Sequence, residues 1–256
     1  MLQAMLAGNS RVHTFPETHF FDRLFWGKRA NVFRGFRARR ILQDVASLIG
    51  LDRESMPGFS YSRKPFIRAY FGLLDAVAMQ AGKQLWLEKT PPHLHFIDQI
   101  AAYSPEARFV HLLRDGRAVV ASLFDMGQRF SSQWPWAHSL DACIDRWNWS
   151  IRDSFVWLDH PRHLLCAYET LVSQPEELLR VISKFLDIDF EPQMLAFQQN
   201  AGKVTQDFEK WKRDVSAPLS PKGLEKYDRL FDEGQKQYIE KRIEVTPQDP
   251  RWPQLP

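Results

Sequence analysis

The stretch that most limits what this chain can fold into is a strand, a turn and a helix in direct succession. Arg108-Phe-Val-His-Leu-Leu113 is a near-continuous apolar run, the pattern of a strand buried on both faces of a parallel sheet. It breaks off at Arg114-Asp115-Gly116-Arg117, where Asp115 is placed to cap a helix running to about Met126. Gln84-Leu-Trp-Leu-Glu88 reads as a second strand, stopped by Lys89-Thr90-Pro91, and His163-Leu-Leu-Cys-Ala167 as a third, leading into Tyr168-Glu169. Apolar residues at helical spacing mark Phe36 to Leu51, Lys64 to Gly82, Leu94 to Tyr103, Leu140 to Leu158 and Pro175 to Leu186. Gly82 falls where a helix C-terminus wants a glycine, and Pro175 where a first turn accepts a proline. Strands alternating with helices predict an α/β fold with a mainly parallel sheet.

Composition narrows the class. At 256 residues, 44% hydrophobic and 25% charged, the chain predicts one folded domain over 1–246 and a Pro-rich tail over 247–256, and excludes disordered, collagen-like and coiled-coil classes. A net charge of +3 is too mild for a dedicated nucleic-acid binder. Cys143 and Cys166 fall within a helix and a strand, read as buried packing, and make no disulfide framework. With no bilayer-length apolar run and no leader pattern, a cytoplasmic location is expected. His93 and His95 lack the partners of a metal set, so no metal is expected. Lys28, Arg29, Arg34, Arg37, Arg39 and Arg40 read as a solvated helix face that could also attract an acidic acceptor. Trp134 and Trp136 flank a proline and read either as core or as the lining of an acceptor pocket.

Parallel sheets gather ligand chemistry at the C-terminal ends of their strands. Here those ends carry Glu88-Lys89-Thr90, Arg114 to Arg117, and Tyr168-Glu169, a set suited to an anionic ligand. Arg114 leaves its strand as a helix begins, and Ser122 lies about two helical turns further on. An arginine fork and a hydroxyl on one side suit a phosphate monoester. The plain alternative is an Arg114 paired with a carboxylate and a Ser122 used in packing. Glu17 reads as a cap or as a partner of Arg11 or Arg23. Lys89 reads as a functional cation or as solvated surface, and Tyr168 as a ligand contact or a half-buried tyrosine.

The strand-Arg-Asp-Gly-Arg-x-x-x-x-Ser pattern resembles the 3′-phosphate-binding segment of sulfotransferases that use 3′-phosphoadenosine 5′-phosphosulfate (PAPS). Phe15-Pro16-Glu17-Thr18-His19, Lys89-Thr90-Pro91, Arg146-Trp147-Asn148 and Tyr168-Glu169-Thr170-Leu171 resemble further segments of that family, in the family's order. The likeness runs from Met1 to about Leu219 and is strongest to bacterial members and to the tyrosylprotein branch. It implies a P-loop-NTPase-like three-layer sandwich and sulfonate transfer from PAPS to a hydroxyl acceptor. Glu17 would be the general base and Lys89 would stabilise the charge of the transition state. Arg114 and Ser122 would bind the 3′-phosphate and Tyr168 the adenosine, while Trp211 and Lys212 would close over the nucleotide. The acceptor is left open among carbohydrate, lipid, small alcohol and peptide tyrosine. A nucleotide kinase is disfavoured, because no Gly-x-x-x-x-Gly-Lys-Ser/Thr loop is found.

Family members carry a first strand and a 5′-phosphosulfate loop ahead of a helix similar to Met1-Leu2-Gln3-Ala4-Met5-Leu6. The expectation is a longer, active parent sequence and an impaired 256-residue chain. The alternative is a non-catalytic remnant that binds PAP (the desulfonated nucleotide), another nucleotide or a partner.

Overall fold

The computed structural model describes residues 1–26, 32–33, 35–51, 62–200 and 224–255. They fall into two compact units, Met1–Ala107 with Ile188–Ala217, and Arg108–Asp187 with Pro218–Pro256.

In the first unit, α1 (Leu2–Leu6) leads to β1 (Val12–Thr14), α2 (Phe20–Leu24) and a small antiparallel hairpin of β2 (Phe25–Trp26) and β3 (Val32–Phe33). α3 (Gly35–Leu48), α4 (Lys64–Gln80), β4 (Leu85–Leu87), a 3-10 turn over Pro91–Phe96 and α5 (Ile97–Tyr103) follow. β1 and β4 pair in parallel, with Thr14 opposite Leu87. The core is aromatic: Phe20 stacks on Tyr70 with ring centroids 4.1 Å apart, and Phe21 meets Tyr70 and His93 edge-on. α3 stops three residues short of the expected Leu51. Gly50 takes a positive φ of 80°, and Leu51 N–H turns back to the Ala46 carbonyl at 2.9 Å. Gly82, at φ 68°, closes α4 in the same way, as its position after the helical pattern predicts.

In the second unit, β5 (Phe109–Leu113) pairs in parallel with β6 (His163–Ala167), and Leu113 lies opposite Ala167. Between them run α6 (Gly116–Arg129), a 3-10 turn over Pro135–His138 and α7 (Leu140–Phe155). α8 (Tyr168–Ser173), α9 (Pro175–Leu186) and helices over Glu225–Leu230 and Glu233–Arg242 complete the unit. Its core joins Val120, Cys143, Ile144, Trp147, Ile239 and Trp252, the last from within the proline-rich C-terminal stretch. The expected burial of β5 on both faces is not found: only His111 and Leu113 are buried, and the other three residues are half-buried. One of those two is a histidine, held by hydrogen bonds to Ser154 and His163 rather than by apolar packing.

The chain is thus a mixed α/β protein with small parallel sheets. Among the described residues, no helix is long and apolar enough to cross a membrane, and no group of three or more His, Cys, Asp or Glu side chains is placed to hold a metal ion.

Candidate active site

Two clusters of polar side chains stand at the C-terminal ends of the two parallel strand pairs. In the first unit, β1 and β4 end together at Thr14 and Leu87, and Phe15 N–H donates to the Leu87 carbonyl at 3.2 Å, so the segments that carry Glu17 and Lys89 leave the strands side by side. Lys89 Nζ donates to Glu17 Oε1. The lysine is 43% exposed and the glutamate 11%, so the pair faces outward from a mostly covered carboxylate. Arg23, the alternative partner, pairs with Asp44 instead, while Arg11 hydrogen-bonds Gln84 at 2.6 Å.

The same loop brings in residues that the sequence reading did not single out. His19 holds a left-handed backbone conformation, with φ 49° and ψ 32°, which costs a non-glycine residue roughly 1–3 kcal/mol. This geometry sets its ring between two carboxylates, with Nε2 3.4 Å from Glu17 Oε2 and Nδ1 3.0 Å from Asp22 Oδ2. Hydrogen bonding to Asp22 and Glu17 raises its pKa to about 9, so the imidazole carries a proton at neutral pH. Beneath the loop, the buried Glu88 carboxylate accepts from Thr18 N–H at 3.2 Å, from Thr18 Oγ1 at 2.9 Å, from Thr90 Oγ1 and from His93 Nδ1 at 3.0 Å. Burial alone would raise its pKa. The neighbouring His93 and the hydrogen bonds from His93, Thr90 and Thr18 more than offset this, and hold it below the usual carboxylate range. The spacing Glu17-x-His19-x-x-Asp22 and the Glu88-Lys89 adjacency were the available signals. They are weak ones, because neither shows that the two segments pair.

In the second unit, the β5–β6 register sets Arg114 beside Tyr168 and Asp115 beside Glu169. The Arg114 guanidinium lies 4.6 Å over the Tyr168 ring. The Asp115 N–H donates to Glu169 Oε1 at 2.9 Å. Asp115 caps α6 as its sequence position predicts, accepting from Arg117 N–H at 2.9 Å. Trp147 Nε1 donates to the Arg114 carbonyl at 3.2 Å, so α7 fixes the same turn from another side. Gly116 makes this packing possible: a Cβ there would sit 2.9 Å from the Trp147 indole. The alternative for Arg114, a carboxylate partner, is not realised among the described residues, and its buried Nε has no hydrogen-bond partner. A guanidinium held on a ring with an unmet buried donor fits an incoming anion. Ser122 is half-buried on α6. Trp211 and Lys212 lie outside the described residues, as do Lys28, Arg29 and Arg34 of the basic segment. Arg37, Arg39 and Arg40 are exposed on α3, Trp136 is exposed, and Trp134 packs half-buried on the second core.

The fold is that of sulfotransferase domains. The chain overlays on the sulfotransferase domain from the curacin biosynthetic pathway with a TM-score of 0.55 and 17% identity, covering 94% of this chain and 92% of that one. For the sulfotransferase domain of the Synechococcus PCC 7002 olefin synthase the values are 0.56 and 20%, covering 94% and 88%. Residues 1–192 match the family model of the sulfotransferase family, and the chain belongs to that family. Among curated relatives it is 27% identical to a protein-tyrosine sulfotransferase of Drosophila melanogaster over 54% of this chain and 28% of that protein. It is 30% identical to protein-tyrosine sulfotransferase A of Caenorhabditis elegans over 39% of this chain and 26% of that protein. The chain therefore spans only about a quarter of the length of these relatives.

Proposed function

We propose that this chain transfers a sulfonate group from PAPS to a hydroxyl acceptor, with Glu17 as general base and Lys89 as the cation at the reacting centre. The observation that carries this reading is the Glu17–Lys89 pair at the ends of adjacent parallel strands. Sulfonyl transfer, like phosphoryl transfer, gains most from positioning and from cationic donors and has little need of covalent help. Glu17 is mostly covered and flanked by the His19 imidazolium, and its carboxylate is placed to take the proton of an acceptor hydroxyl. Lys89 has three donors, so it can pair with Glu17 and still meet developing negative charge. PAPS supplies the sulfonate when bound. Arg114, Ser122 and Tyr168 would hold its 3′-phosphoadenosine part, with Trp211 and Lys212 closing over it. The unmet Nε of Arg114 and the Tyr168 ring beneath it support this assignment. A P-loop-NTPase-like layered sandwich around one central parallel sheet is part of the same proposal.

The test begins with PAP and a thermal-shift titration. PAP is expected to raise the melting temperature, and Arg114→Ala to weaken that binding about 10- to 100-fold, the worth of a charge-assisted hydrogen bond. A chain whose melting temperature PAP leaves unchanged would contradict the nucleotide assignment. The relatives named as protein-tyrosine sulfotransferases place a tyrosine peptide first in an acceptor panel that also holds carbohydrate, lipid and small alcohols.

A further inference from the structure

Glu88 takes no part in the chemistry just described, yet both of its carboxylate oxygens are engaged by polar partners. Its Oε1 receives the Thr18 N–H, the Thr18 hydroxyl and the Thr90 hydroxyl. Because Thr18 gives its only hydroxyl proton to Glu88, Tyr70 OH, 3.0 Å away, acts as donor to Thr18. Thr90 Oγ1, having donated to Glu88, accepts the His19 N–H at 3.3 Å. The other oxygen, Oε2, receives His93 Nδ1–H, which leaves His93 Nε2 to accept the Phe21 N–H at 3.3 Å. Asp22 Oδ1 is buried without a hydrogen bond 3.6 Å from that same Nε2, while its Oδ2 holds the His19 ring. Two routes therefore run from one carboxylate to His19. One goes through Thr90 to its backbone, and the other through His93 to the α2 turn and Asp22, which holds its ring. A third contact grips Thr18, the residue between Glu17 and His19.

We propose that Glu88 is a positioning residue, whose buried carboxylate holds the Glu17-Thr18-His19 loop in the strained conformation that sets Glu17 against Lys89 and His19. The proposal rests on Glu17 being the base. A left-handed histidine relaxes unless its surroundings over-determine it, and the Glu88 carboxylate joins Thr18 of the loop to Thr90 and His93, which in turn hold the backbone N–H groups of His19 and Phe21. An ionised carboxylate buried at 8% exposure would be costly without such donors, and here every oxygen is met. A carboxamide in its place would offer a donor where His93 Nδ1–H now points, so Glu88→Gln, with no change in volume, either sets two donors face to face or drives His93 into its other tautomer, whose Nε2–H no longer accepts the Phe21 N–H.

The experiment compares wild type, Glu88→Gln and Thr90→Val in two readouts. The first is the titration of the His19 ring followed by histidine NMR, which needs no substrate. Glu88→Gln is expected to move that titration from about 9 toward the ordinary histidine value of 6.5, and Thr90→Val, which cuts only one link, to move it part of the way. The second is labelled-sulfonate transfer, where Glu88→Gln is expected to lower kcat at least tenfold with KM for PAPS unchanged. A Glu88→Gln protein that melts lower but keeps the wild-type His19 titration and kcat overturns the proposal, since a merely structural anchor would behave that way. Should Glu88→Gln fail to fold, Thr90→Val decides alone: an unshifted His19 titration overturns the proposal. If wild type transfers no sulfonate to any acceptor, the functional reading fails, and the His19 titration still tests the positioning role by itself.

Discussion

His19 shows how much a single residue's environment can decide. With its pKa raised to about 9 by Asp22 and Glu17, the folded chain holds a proton that the unfolded chain releases near 6.5. The folded state is thus the more protonated one between these values. Its stabilisation is fully present below pH 6.5 and is lost as pH rises through about 9. With the ring 42% exposed, solvent screening makes this a small stability effect. Its larger consequence is for activity. A fall in kcat centred near pH 9 is expected in wild type and should be absent in His19→Asn, whose overall rate is lower; pH–rate profiles of the two proteins check this. Removing the proton acceptor itself, as in Glu17→Gln, is expected to cost about 10²- to 10⁴-fold in kcat.

At the scale of elements, the turn after β5 is held by packing as much as by charge. Gly116→Ala would force a methyl group into the Trp147 indole and loosen the hydrogen bond from Trp147 to the Arg114 carbonyl. Overpacking of this kind costs about 1–3 kcal/mol, read as a lower urea midpoint. PAP binding should weaken with it. The β5–β6 pair carries a second, acid-sensitive feature. His111 Nε2 and His163 Nδ1 lie 3.0 Å apart and share one proton, and His163 is stacked on Trp157 and on Phe109. Burial pushes both pKa values down to about 4, so the unfolded chain takes up protons first as pH falls from 6.5. Stability is present above 6.5 and is lost as pH falls toward 4. Urea midpoints measured at pH 7 and pH 5 should differ in wild type, and differ less in His163→Phe. Equal midpoints at both pH values in wild type would contradict the burial argument.

For the whole molecule, what was legible in the sequence was local. β6 and α9 have the ends that their pattern predicts, and Asp115 caps α6 because a short acceptor before a helix has one obvious use. β1 has no readable strand pattern, since Val12-His13-Thr14 is three residues long and has only one apolar member. Ser139, which caps α7 through the Ala142 N–H, sits in a tryptophan-rich loop where a single serine carries no clear start signal. The candidate site was half legible. Family resemblance named Glu17, Lys89 and Arg114, but the pairing of Glu17 with Lys89 depends on a strand register across 72 residues that no local pattern encodes. His19, Asp22 and Glu88 became visible only once that register was known. The most direct test of the account is transfer of labelled sulfonate from PAPS to the acceptor panel, run on this chain and on the product of any in-frame extension upstream of Met1. The account predicts PAPS-dependent transfer that Glu17→Gln and Lys89→Ala each lower by at least a hundredfold while PAP still binds. Transfer unaffected by both substitutions, or PAP binding with no transfer by either form, would contradict it.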